Sequence, residues 1–169
     1  TYQWRKDTVA ISGATSSSYT LSSPALADAA AYDVVVTNSV SSVTSSAATL
    51  TVQTVPAFTT PPQTQTVNSG DSVVLTVAVT GVPTPTLQWR KDAQAIDGAT
   101  GTSLDLGAVS PSDNGNYDVV ATNAAGTVTS SPAILAVVFG PSIDTHPVSQ
   151  TVSAGASVTF SVAASGDPT

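Results

Sequence analysis

The feature that most constrains this chain is that it repeats itself. Gln3-Trp4-Arg5-Lys6-Asp7 returns as Gln88-Trp89-Arg90-Lys91-Asp92, and Tyr32-Asp33-Val34-Val35 returns as Tyr117-Asp118-Val119-Val120, each 85 positions later. Pro62, Gln65-Thr66-Val67, Gly70, Ser72-Val73, Val77 and Gly81 are matched at the same distance by Pro147, Gln150-Thr151-Val152, Gly155, Ser157-Val158, Val162 and Gly166. No insertion interrupts the period. A repeat this long has room for a whole small domain, whereas solenoid motifs recur every 20–50 residues or so.

The phase of the repeat predicts three pieces: a partial unit over 1–55, a complete unit over 56–138 and a partial unit over 139–169. Thr1 aligns with Thr86 and Thr169 with Thr84, so copies laid end to end lack only a counterpart of Pro85. Two arrangements fit. The chain is an excerpt of a longer array, or it is a subunit whose partners are copies of itself, joined head to tail. In the second case the C-terminal strands of one copy finish the N-terminal sandwich of the next, because neither fragment can bury its apolar face alone.

Within the complete unit, hydrophobicity alternates with a period of two. Ser72–Val79 places Val73, Leu75, Val77 and Val79 on one face, and Gly81-Val82-Pro83-Thr84-Pro85 ends the run. Thr86–Lys91 turns Leu87 and Trp89 inward, and Leu104 and Leu106 flank Asp105. Tyr117, Val119 and Ala121 share one side of the next strand. Asp97-Gly98 and Asn123-Ala124-Ala125-Gly126 read as turns, and Thr127–Val137 as the closing strand. No stretch has helical periodicity with caps. About seven short strands with regular turns predict an all-β antiparallel sandwich.

The spacing Gly70, Leu75, Gly81-x-Pro83-x-Pro85, Trp89, Leu106, Asp113-x-Gly115-x-Tyr117 and Asn123-x-x-Gly126 resembles immunoglobulin-like domains of the intermediate type, known from muscle, adhesion and bacterial surface proteins. The resemblance implies an immunoglobulin-like β-sandwich repeated in tandem, with residues 1–55 supplying roughly strands C to G and 139–169 strands A and B. It makes Trp89, and Trp4 by the repeat, the core tryptophans. Tyr117 and Tyr32 become tyrosine-corner residues, with the Tyr117 hydroxyl bonded to backbone near Asp113. The family's half-cystines fall on Val77 and Val119, and in the partial units on Val162 and Val34. All four are valine, so packing stands in for a cross-link worth roughly 2–4 kcal/mol. With Leu75 and Leu106 these residues form the expected core. Ala30 stands where the pattern has Gly115; if that turn needs positive φ, it is strained or relaxed.

Composition limits the chemistry. The chain carries 11 acidic residues, all Asp, against four cations, for a net charge of -7. So few cations exclude a nucleic-acid partner, which requires several to displace counterions. Without Cys, and with His146 as the lone histidine, no thiol nucleophile or His-rich zinc site can be built. No catalytic residue, cofactor or resident metal is expected, so the chain is read as no enzyme. No run of 18 apolar residues exists for membrane insertion. Asp113-Asn114-Gly115-Asn116 reads as a turn rather than a calcium loop, while Asp144 and Asp167 are the acids a weak Ca²⁺ site at a junction would use. Thr59-Thr60-Pro61-Pro62 is the most plausible O-glycan acceptor stretch. Arg5, Lys6, Arg90 and Lys91 have two readings: surface ion pairs with nearby Asp, or inter-chain contacts with an acidic neighbour.

These features predict an extracellular or cell-surface structural repeat, a stalk, fibre or filament built for distance rather than catalysis. The alternative is an adhesion or binding module that recognises a glycan or protein through its loops. Short loops rich in Gly, Ala, Ser and Thr favour the first. The scarcity of Lys beside abundant Thr, Ser, Ala and Val resembles secreted repeat proteins of bacteria.

Overall fold

The computed structural model describes residues 1–167. The expected correspondence of Thr169 with Thr84, and any join between Thr169 and Thr1, lie outside them. The first unit contains β1 (Tyr2–Lys6), β2 (Val9–Ala10), β3 (Ala30–Thr37), β4 (Ser42–Thr44) and β5 (Ala48–Leu50). They form one antiparallel sheet in the order β2-β1-β3-β4, with β5 also on β3. The middle unit contains β6 (Thr54–Thr60), β7 (Gln65–Asn68), β8 (Ser72–Thr76), β9 (Ala78–Val82), β10 (Thr86–Lys91), β11 (Gln94–Ala95), β12 (Ser103–Ala108), β13 (Gly115–Asn123), β14 (Gly126–Thr129) and β15 (Ala133–Val138). Two further strands follow, β16 (Ser142–Thr145) and β17 (Ala163–Ser165).

The middle unit is a sandwich. One layer runs β11-β10-β13-β15-β7, with β14 also on β13 and β15 parallel to β7; the other layer consists of the pairs β12-β8 and β6-β9. Alternation puts the core between them. Val73 and Leu75 of β8 are each 1% exposed, and Tyr117, Val119 and Ala121 of β13 are no more exposed than that. The expected fold class, an all-β immunoglobulin-like sandwich in tandem, is the one found.

Two expected strands are each divided, because their ends pair with different neighbours. Ser72–Val79 breaks at Val77, whose N–H bonds Thr102 O at 2.9 Å; before it the chain pairs with β12, after it with β6. The closing strand breaks at Ser130-Ser131-Pro132. There Ser130 repairs the ladder, its N–H donating to Val119 O at 2.9 Å while its Oγ accepts from Val119 N at 3.0 Å.

A tight turn escaped the sequence reading. Lys91 pairs with Gln94, leaving Asp92 (φ 49°) and Ala93 (φ 67°) as a two-residue loop with both φ positive. Asp7 and Thr8 do the same in the first unit. This geometry matches strand twist but favours glycine at its second position. Ala93→Gly is therefore expected to raise stability by about 0.5–1 kcal/mol, read as a higher urea midpoint; a lower midpoint would contradict the assignment.

The repeat is preserved down to register. Trp4 faces Val34 as Trp89 faces Val119. Ser142↔Ser165 and Ile143↔Ala164 reproduce Ala57↔Thr80 and Phe58↔Val79. The partial units depart from the middle one where a partner strand is lacking. Residues 18–23, the counterpart of β12, form no strand, and neither do 150–153 and 157–161, the counterparts of β7 and β8. A strand's backbone groups need a neighbour to bond, so sequence pattern alone does not make one.

Candidate interaction surface

Trp89 is fully buried, and its Nε1 donates to Gly101 O at 2.9 Å; Trp4 makes the same bond to Ser16 O at 3.1 Å but is only half-buried. Val77 and Val119 lie in one cluster with Trp89, Leu75 and Tyr117, and Leu106 packs against it half-buried. Val34 is half-buried, and Tyr32 is 8% exposed. Val162, expected in a core, is 58% exposed, because the strand and sheet it would pack against are not beside it.

The tyrosine corner forms in both units. Tyr117 Oη donates to Asp113 O at 2.9 Å, and Tyr32 Oη donates to Asp28 O at 2.8 Å. Ala30 takes a negative φ, so its turn has relaxed without losing the bond. Burial, and then the charges of Asp113 and Asp92, push the Tyr117 hydroxyl above its ordinary range.

The four cations are engaged within their own units. Arg90 Nε and Nη2 donate to the two oxygens of Asp118 at 2.7 and 2.8 Å, and Arg5 repeats this fork on Asp33 at the same distances. Lys91 donates to Ser112 O and sits 5.9 Å from the Tyr117 ring centre; Lys6 donates to Ala27 O. Arginine followed by Asp 28 positions later, on facing strands, was the sequence signal for the fork.

Hydrogen bonds from Arg5 hold the Asp33 carboxyl below its ordinary value of 3.8. The backbone and hydroxyl of Ser110 hold Asp113 below it too, with Lys91 adding a smaller attraction. The unfolded chain takes up these protons more readily than the folded one. Their stabilisation is therefore complete above about pH 4 and is lost as the pH falls below that. Urea midpoints are expected to fall as the pH drops below about 4, and to fall less in Asp113→Asn. A flat or rising midpoint would contradict this.

Among the described residues, no three His or Asp side chains come together as a metal-holding group. Asp144 instead accepts from Ser165 Oγ at 3.0 Å, and His146 is exposed. The Asp113-Asn114 segment is a turn, in which Asn114 Oδ1 accepts from Val137 N. Thr59 and Thr60 are exposed. Among the described residues, no helix is long and apolar enough to cross a membrane.

A concave apolar surface opens on the first unit. Trp4, Tyr19, Leu21, Tyr32 and Leu50 line an open groove of about 350 Å³ on the first unit. Tyr19 lies between two rings, 6.2 Å from Trp4 and 6.2 Å from Tyr32. In the middle unit the counterparts Trp89, Leu104, Tyr117 and Leu135 are covered by Val73, Leu75 and Val77. The first unit has no such strand over it. Composition gave no hint of this groove; the phase of the repeat did.

Residues 55–123 match the family described as "Immunoglobulin domain". The chain is 37% identical over 123 residues to Endoglucanase C of Cellulomonas fimi, covering 70% of this chain and 11% of that protein. It is 31% identical over 159 residues to human receptor-type tyrosine-protein phosphatase F, covering 83% of this chain and 8% of that one. The chain thus spans about a tenth of the length of these curated relatives. Among solved structures, a three-domain fragment of titin, I67–I69 carrying an E-to-A change, superposes with a TM-score of 0.73. It covers the whole of this chain and 66% of that one at 23% identity, a likeness of fold.

Proposed function

We propose that this tandem of cysteine-free, immunoglobulin-like β-sandwich domains works outside the cell or on its surface as a module for protein–protein contact. The observation that carries the reading is the likeness to human receptor-type tyrosine-protein phosphatase F, 31% identical over 159 residues. The range of matched proteins, one named an endoglucanase and one a receptor-type phosphatase, supports a portable module set beside other domains. Fold alone does not fix the role.

The test is antibody labelling of intact source cells, combined with chemical cross-linking of the labelled protein to its neighbours. Labelling without permeabilisation and a reproducible cross-linked protein neighbour are expected. Antigen reached only after permeabilisation, or no cross-linked neighbour, would overturn the reading.

A stalk or filament spacer is the second reading, and the register repeated at 85 residues without insertion favours it. Pulling a chain of several such units should then give unfolding peaks at one regular spacing.

A further inference from the structure

We propose that Asn114 is a modification site guarded by the fold: its side-chain amide survives while the middle unit is closed, is lost by deamidation when the unit opens, and the isoaspartate formed keeps the unit from closing as before. Asn114 is the one asparagine of the chain that glycine follows. Glycine has no side chain to hinder its nitrogen. The Gly115 nitrogen, giving up its proton, can therefore attack the Asn114 side-chain carbonyl carbon. A C–N bond forms, the bond to the amide nitrogen breaks, and ammonia leaves with the proton. Water then opens the succinimide at one carbonyl or the other, giving aspartate or isoaspartate.

The closed unit opposes that step at each atom it needs. Asn114 has φ −52° and ψ 137°. Ring closure needs Cβ and the Gly115 nitrogen nearly eclipsed about the Cα–C bond, and this ψ sets them well apart. The main chain is not free to turn: Asn114 N–H donates to Pro111 O at 3.3 Å, and Gly115 opens β13 opposite Leu135. The side chain is held as well, its Oδ1 accepting from Val137 N–H. Close packing favours glycine at 115. A Cβ there would lie 2.8 Å from Asp92 Oδ2 and 2.9 Å from Lys91 Cε, and Asp92 is fixed by the N–H of Asn116 at 2.9 Å. The labile pair adjoins the tyrosine corner, where Asp113 O accepts from Tyr117 Oη. Isoaspartate lengthens the main chain by a carbon between that acceptor and Tyr117. The spacing that lets the corner and the Val137 bond form together is then lost. The first unit carries Ala29-Ala30 at these positions and has no amide to lose.

The experiment holds the chain in mildly alkaline buffer, folded and in urea, and follows the chymotryptic peptide 107–117 by mass spectrometry, with fragmentation separating Asn114 from Asn116. Conversion at Asn114 is expected to be more than about tenfold slower in the folded chain than in urea. Equal rates would overturn the guard. Trp89→Ala acts at a distance, since Asn114 is no member of the core cluster around Trp89. In native buffer this variant should convert faster, in step with the unfolded fraction of its middle unit, and at the rate seen in urea if it does not fold at all. A rate that stays at the unmodified value while the unit is loosened would overturn the coupling to opening. The converted chains are then separated by chromatography and refolded beside Asn114→Asp, which keeps an oxygen for Val137 N–H at the original main-chain length. The isoaspartate form is expected to unfold at lower urea than Asn114→Asp, and equal midpoints would overturn the block to closing.

Discussion

Trp89→Ala is expected to cost the middle unit about 3–5 kcal/mol, enough to unfold much of it when a small domain holds only about 5–15 kcal/mol in all. The side chain is fully buried in the sandwich, in one cluster with Val77, Leu75 and Val119. Removal leaves a cavity that two β-branched valines cannot collapse into without leaving their rotamers. Trp4→Ala should cost much less, because Trp4 is half-buried in an open groove. Urea unfolding followed by circular dichroism separates the two variants. A Trp89→Ala chain within about 1 kcal/mol of the unmodified one would mean that the tryptophan does not organise this core.

The second large effect has the opposite sign. Val77→Cys with Val119→Cys is expected to stabilise the oxidised middle unit by about 2–4 kcal/mol over the reduced form. The cross-link would join the layers across the core and close a loop of some forty residues, removing entropy from the unfolded chain. Val119 N–H is held by Ser130 Oγ at 3.0 Å and Val77 N–H by Thr102 O at 2.9 Å, so both backbones are fixed before the bridge forms. Mass spectrometry reports bridge formation, and paired melts with and without reductant report the gain. Destabilisation on oxidation would show that the two valines are placed for packing and not for a bridge.

Much of this was legible in the chain. Trp89, Tyr117, Val119, Val73 and Leu75 declare themselves by period-two alternation, a local property of the backbone. The 85-residue offset then carries each of these assignments to its partner position. The missed features depend on contacts distant in sequence. The break at Val77 arises because the strand leaves β12 for β6, a choice no local window contains. The Asp92-Ala93 turn lacks glycine and so lacks the usual signal. Val162 reads as core by its pattern and is exposed for want of a neighbour, since pattern specifies a face and not its cover. The groove was legible in outline from the phase of the repeat. Its aromatic lining was not, because Tyr19 stands where the middle unit has leucine.

Amide hydrogen exchange on the dilute 169-residue chain tests the central claim most directly: this is one sandwich repeated, with strands formed only where their partners are present. Slow exchange is expected at Val73, Leu75, Trp89 and Val119, whose strands are paired inside the middle unit. Fast exchange is expected across 18–23, 150–153 and 157–161. Equal protection of 72–76 and 157–161 in the dilute chain would contradict it.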